Sequence, residues 1–159
     1  MKNLRIEIKW AIIFVLMTLL WMLFEKSMGW HDEGIADHAS YTNLYAIPAI
    51  LVYVFALLDK KKNYFGGHMT YKQGFMSGIV ITIIVAILSP LNQYLISTYI
   101  TPEYFANVIE YSVSNGVMEQ TEAEAYFSLK NYMLISVIGA LLMGLITTLV
   151  VALFVRSKR

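Results

Sequence analysis

The sequence has no cysteine, which excludes disulfides, thiolate metal sites and cysteine nucleophiles outright. Charge is scarce: Asp, Glu, Lys and Arg make up 14% of the 159 residues, against roughly 25% in soluble chains. Hydrophobic residues account for 58%. A chain so composed cannot cover a globule with polar surface, so lipid is the solvent it is built for. The formal net charge of +1 argues against nucleic acid as a partner. Recognisable catalytic spacings are missing too. There is no G-x-S-x-G, no phosphate-binding glycine loop and no intramembrane Ser/His or Asp/Asp pair, so the sequence points away from an enzyme and implies no cofactor.

Four long apolar runs are present. The first follows a short basic start (Lys2, Arg5, Lys9) and extends from Trp10 to Phe24 with only Thr18 interrupting it. A signal peptide has a similar profile, but no small-x-small cleavage site follows, and the expectation is a retained helix reaching Trp30. The second run, from about Asn43 to Leu58, contains Pro48. A helix starting at the proline would be too short to cross a bilayer. The chain must therefore pass through Pro48, leave the Leu44 carbonyl without its usual donor and kink. The third is YKQGFMSGIVITIIVAILSPLNQY, Tyr71–Tyr94, a rod of roughly 36 Å that exceeds a hydrocarbon core of about 30 Å. The fourth closes the sequence. A T-x-x-E box at Thr121–Glu124 predicts one unbroken helix to Val155, projecting from the membrane before it crosses. Between the third and fourth runs, Thr101-Pro102-Glu103 reads as a helix start. The following helix has Phe105, Val108, Ile109 and Ser112 on one face and is too polar to insert.

The expected architecture is a single all-α domain over 1–159, an integral membrane four-helix bundle. Its spans fall at about 8–30, 42–59, 71–95 and 131–155, with an extracytoplasmic amphipathic interfacial helix at about 102–114. Orientation follows from the basic residues. The N-terminus, the middle loop (Lys60, Lys61, Lys62, Lys72) and the C-terminus hold ten of the twelve Lys and Arg, while the other face carries Lys26, Lys130 and nine of the eleven acids. The basic side is expected to be cytoplasmic, with both termini there, in the inner membrane of a bacterium.

Unusual residues collect at the opposite side. Glu25, Lys26, His31, Asp32, His38, Asn43, Ser89, Asn92 and Gln93 form a candidate polar cluster at the outer ends of the spans. Glu25 shares a helical face with Thr18, Trp21 and Met22 and can point into the bundle, either as a proton- or cation-handling carboxylate or as a structural group paired with Lys26 or Lys130. His31, Asp32 and His38 are ligand types for a divalent ion. Their spacing matches no standard site and Gly34 weakens any helix between them, so the expectation is a solvated acidic loop without metal. Gly74 and Gly78, with Ala140 and Gly144, are small residues four apart that suit close helix packing inside the bundle or between copies.

Four ordered blocks carry a resemblance: EKSMGWHDEGIADHASYTN (Glu25–Asn43), MTYKQGFMSGIVIT (Met69–Thr82), SPLNQY (Ser89–Tyr94) and EAEAYFSLKNY (Glu122–Tyr132). The chain resembles domain of unknown function family 4199, small membrane proteins of Bacteroidota-like bacteria. The residues matching it are Glu25, Gly29, His31, Asp32, His38, Thr42 and Asn43, then Tyr71, Gly74, Gly78, Ser89, Pro90, Glu124 and Tyr126. The resemblance implies a multi-pass inner-membrane protein and no particular reaction or ligand. The functional expectation is a non-enzymatic accessory or scaffold subunit partnered by the lipid bilayer and by other membrane proteins or a second copy. The alternative is a small carrier that uses Glu25.

Overall fold

The computed structural model describes residues 4–157. Lys2, Lys158 and Arg159, counted above in the charge bias, lie outside the described residues. Every regular element among the described residues is helical. Four helical stretches are long and apolar enough to cross a membrane: Arg5–Ser27, His38–Asn63, Tyr71–Ile100 and Leu129–Val155. Only 11 to 39% of each apolar stretch is buried inside the protein. Leu20, Ile87 and Phe154 are among the large side chains left outside, at 67, 71 and 80% exposure. Such an inside-out distribution needs an apolar solvent. Arg5 and Val155 lie at one end of the bundle, the proximal end, and the opposite end is distal.

The first span, α1 (Arg5–Ser27), stops earlier than expected. The chain ends it with a Schellman turn: the Gly29 N–H donates to the Lys26 carbonyl at 3.0 Å and the Trp30 N–H to the Glu25 carbonyl at 3.2 Å. Gly29 makes the turn possible because its φ is +72°, where a side chain would be strained. Trp30 then folds back, stacked on Tyr41 at 4.8 Å and edge-on to Phe24 at 5.6 Å.

The second span is in three pieces: α2 (His38–Tyr41), a 3₁₀ turn (Thr42–Tyr45) and α3 (Ala46–Asn63). The chain does pass through Pro48, as its length requires, but the irregularity lies ahead of the proline. Pro48 is the third residue of α3, near the end where backbone N–H groups lack intrahelical partners anyway, and the tighter turn absorbs the mismatch with α2.

The third span, α4 (Tyr71–Leu95), opens with a capping box: the Gln73 N–H donates to the Thr70 hydroxyl at 3.3 Å, and the Thr70 N–H to the Gln73 side chain at 2.8 Å. It runs unbroken through Pro90. The proline removes the N–H that would reach the Ala86 carbonyl, and the Ser89 hydroxyl donates to that oxygen instead at 2.9 Å. One π-helical turn (Ile96–Ile100) follows and closes at Thr101, whose N–H donates to the Ile96 carbonyl at 2.8 Å. Thr101 therefore ends one helix and does not begin the next. The amphipathic helix α5 starts at Tyr104 and ends at Ser114.

The long final helix is also divided, into α6 (Gln120–Tyr126) and α7 (Leu129–Val155). Side chains compete with the backbone at the break. Ser128 caps α7 by accepting from the Asn131 N–H at 3.4 Å, and the Asn131 amide donates to the Tyr126 carbonyl at 2.7 Å. The T-x-x-E box goes unused, because Glu119 occupies the N-cap position and Thr121 lies inside α6.

The closest packing is between antiparallel α4 and α7. A Cβ on Gly78 would lie 2.7 Å from the Thr148 hydroxyl, one on Gly144 2.6 Å from the Thr82 hydroxyl, and one on Gly74 3.5 Å from the Ala152 Cβ. These pairs share one register, so each helix offers a glycine to the other's threonine, four residues apart. Continuing that register sets Ala86 opposite Ala140. All four small residues of the sequence reading thus lie on this seam, within the bundle. The α1 helix packs on α3 and α4, and α3 packs on α7, completing the bundle. The buried apolar core, including Ala11, Tyr53, Leu57, Met69, Ile81 and Val151, joins all four spans.

Candidate functional site

At the distal end the Schellman turn reverses the chain and brings His31 back over the last turn of α1. Residues 28–37 form successive turns and not a helix. His31 and His38 therefore meet by folding of the loop, and not along a shared helical face. Their rings lie 5.0 Å apart. Both Nε2 atoms reach one oxygen of Glu25, His31 at 2.9 Å and His38 at 3.3 Å. The other carboxylate oxygen accepts from the Trp21 indole N–H at 2.5 Å. Trp21 and Glu25 are one helical turn apart, which is why the indole can reach back along α1.

Glu25 is fully buried, and His31 is 4% exposed. A carboxylate only accepts hydrogen bonds, so in this arrangement both imidazoles carry their proton on Nε2. Tyr104, the first residue of α5, lies over both rings at 5.3 and 5.2 Å, and its hydroxyl meets His38 Nδ1 at 3.4 Å. Burial raises the pKa of the Tyr104 phenol, which keeps it protonated at neutral pH. Asn107, one turn along α5, donates its amide to the His31 carbonyl at 2.9 Å. His31 Nδ1 is buried without a hydrogen-bond partner among the described residues.

The remaining members of the expected cluster lie elsewhere. Lys26 donates to the Ile100 carbonyl at 2.6 Å and not to Glu25. Asp32 accepts from the Glu33 N–H at 2.8 Å on the exposed side of the turn and is not among the converging groups. Asn43 donates to the Ala39 carbonyl at 2.8 Å. Asn43, Ser89, Asn92 and Gln93 line a separate cavity of about 460 Å³ among the four spans. Its walls are mainly apolar, with Phe14, Val85, Ile135 and Met143 among them, and its polar groups include Thr18, Thr42 and Tyr45. The Thr18 and Tyr45 hydroxyls share a hydrogen bond of 2.7 Å. Asn92 is buried, and its side-chain oxygen has no partner among the described residues. Thr42 lines the cavity and is also a neighbour of the Glu25 carboxylate, which connects the two features.

A second buried carboxylate lies at the proximal end. Glu7 pairs with Lys60 at 2.8 Å and accepts from the Ser77 hydroxyl at 2.8 Å, and all three are buried. Beside them, Asp59 accepts from Lys9, from the Trp10 indole at 2.7 Å and from the Asn63 amide at 2.6 Å. In the sequence Lys60 belongs to a charge run and Glu7 to the short basic start. Their signal is the separation of Glu7 from Glu25 by 18 residues, which is five full helical turns and the same face of α1.

Trp21 lies on the Glu25 face that the spacing along α1 predicts. Tyr104 and Asn107 carry no such signal, because only the folded loop brings their polar partners His38 and His31 to them.

No curated protein and no solved structure matches the chain. The profile of a family described as "protein of unknown function (DUF4199)" matches residues 9–157. Since that covers nearly every residue, including the whole loop that carries His31 and His38, the chain belongs to the DUF4199 family.

Proposed function

We propose that this chain is a non-enzymatic accessory protein of the bacterial inner membrane that holds a small amphipathic molecule in the cavity among its spans. In this reading both termini are cytoplasmic, because Arg5, Lys9, Lys61, Lys62, Lys72 and Arg156 all belong to the proximal end. The observation that carries the reading is the cavity. Its volume of about 460 Å³ falls within the roughly 300–1,000 Å³ of small-molecule sites. Apolar walls suit an acyl or polycyclic body. The unpartnered Asn92 oxygen suits a donor on the molecule's polar head. The polar groups facing the cavity are amides and hydroxyls, which hold a ligand without supplying a nucleophile and base. A lone scaffold would have no use for such a space.

Gly139 provides the test, since it lines the cavity and a Cβ there would meet nothing within 4 Å. The native chain, extracted into lipid nanodiscs, is expected to retain close to one small molecule per chain by mass spectrometry of organic extracts. Gly139→Phe should lose that molecule while melting within a few degrees of the native chain. An empty native protein, or equal occupancy in Gly139→Phe, overturns the reading.

The carrier alternative draws support from the burial of Glu25 and is opposed by the three hydrogen bonds that hold its carboxylate. Proteoliposome flux present in the native chain and abolished by Glu25→Gln would favour it instead.

A further inference from the structure

We propose that Glu25, His31 and His38 form a binding site for a divalent transition-metal ion, zinc being the best chemical match. The argument begins with donor placement. The carboxylate oxygen and the two imidazole nitrogens all lie within 4.8 Å of one another. The two carboxylate–imidazole separations are 2.9 and 3.3 Å. Four ligands at roughly 2.0–2.1 Å around a tetrahedral zinc stand about 3.3 Å apart, so the two carboxylate–imidazole edges already have nearly the length the ion requires, and the imidazole–imidazole edge lies within 4.8 Å. Two histidines and one carboxylate are also a donor set that zinc accepts with a fourth position left open.

Charge balance points the same way. At the proximal end the buried Glu7 is neutralised by Lys60. The ion pairs of Glu25 among the described residues are those with the two histidines, with no lysine or arginine among them. A buried carboxylate without a cation is costly, and a dication between the three donors removes that cost.

The surroundings fit a metal centre at His38 and at the carboxylate, while His31 Nδ1 has no hydrogen-bond partner among the described residues. Ligating imidazoles are normally oriented by a hydrogen bond at the other ring nitrogen. His38 has one at Nδ1, from a Tyr104 hydroxyl that can accept as readily as donate. When Nε2 binds the ion, the ring proton moves to Nδ1 and Tyr104 becomes the acceptor. The Trp21 indole fixes the carboxylate from behind through the oxygen that faces away from the histidines. The ligands come from the last turn of α1, the turn after it and the first residue of α2, so one ion would fasten the loop to the bundle.

The test is zinc titration of the full-length, detergent-purified protein after removal of metals with a chelator. The native chain is expected to bind one Zn²⁺ with micromolar or tighter affinity. His31→Ala and His38→Ala should each weaken binding by more than about 100-fold, beyond the 10–100-fold that loss of an outer partner costs, while Trp21→Phe should cost about tenfold. His68→Ala, which alters an exposed histidine at the proximal end, should bind as the native chain does. Because a ligand variant could disturb folding, Co²⁺ is added to the native chain in parallel. Intense visible bands of four-coordinate cobalt are expected. No zinc binding at micromolar free ion, affinity unchanged in His31→Ala, or only the weak spectrum of six-coordinate cobalt overturns the proposal.

Discussion

The two ends of α1 carry the same group in opposite settings. Glu7 and Glu25 are both buried carboxylates on one face of the helix, about 27 Å apart. At the proximal end Glu7 meets a lysine and a serine, partners that satisfy it and offer nothing more. At the distal end Glu25 meets two imidazoles whose nitrogens are ligands as well as hydrogen-bond donors. A carboxylate locked by a fixed opposite charge is a fastener. One surrounded by imidazoles can exchange partners. The difference shows that burial alone does not distinguish a structural ion pair from a candidate functional site, and that the chemistry of the partners does.

The sharpest way to break this comparison is to remove the proximal cation. Lys60→Met strands Glu7 as an unpaired buried charge and should cost about 3–5 kcal/mol, read as the loss of unfolding free energy in denaturant titrations of the detergent-solubilised protein. Adding Glu7→Gln should recover much of it. Next in size, Glu25→Gln should cost about 1–2 kcal/mol in the same titration, because the amide oxygen can keep some of the hydrogen bonds. A loss as large as that of Lys60→Met would show the distal end to be the more structural of the two. The Lys60→Met/Glu25→Gln double variant should equal the sum of the single effects within about 0.5 kcal/mol, since the sites are far apart. Ser77→Ala removes one hydrogen bond to Glu7 and should cost about 1 kcal/mol. Smallest is Lys9→Ala. Its partner Asp59 keeps the indole and amide donors, and Lys9 is 52% exposed, so the change should stay below about 1 kcal/mol.

The fold was largely legible because membrane length and apolarity leave few alternatives. The four spans, the capping function of Thr70 aside, follow from runs of residues and from the need to satisfy every backbone group in lipid. What the sequence obscured were local contests between side chain and backbone. Ser128 and Asn131 break the last helix where a T-x-x-E box suggested continuity, and Thr101 closes a π-turn where Thr-Pro-Glu suggested a start. At the site, an inward-pointing Glu25 could be read from spacing on α1. The union of Glu25 with His31 and His38 could not, because it depends on the left-handed Gly29, which turns an expected extra helical turn into a reversal. Tyr104 was hidden for a similar reason: its hydrogen-bond partner His38 lies 66 residues away along the chain.

The glycine–threonine seam between α4 and α7 constrains movement as well as packing. Each threonine sits in a notch of the facing helix, so neither helix can slide along the other without driving a side chain into backbone. Among the described residues the other two spans carry no such interlock, and the second is interrupted by the 3₁₀ turn Thr42–Tyr45, where it is not a continuous α-helix. That turn supplies Thr42, Asn43 and Tyr45 to the cavity wall. If the cavity holds a ligand as proposed, this interrupted stretch is the part of its wall that the glycine–threonine seam does not fasten.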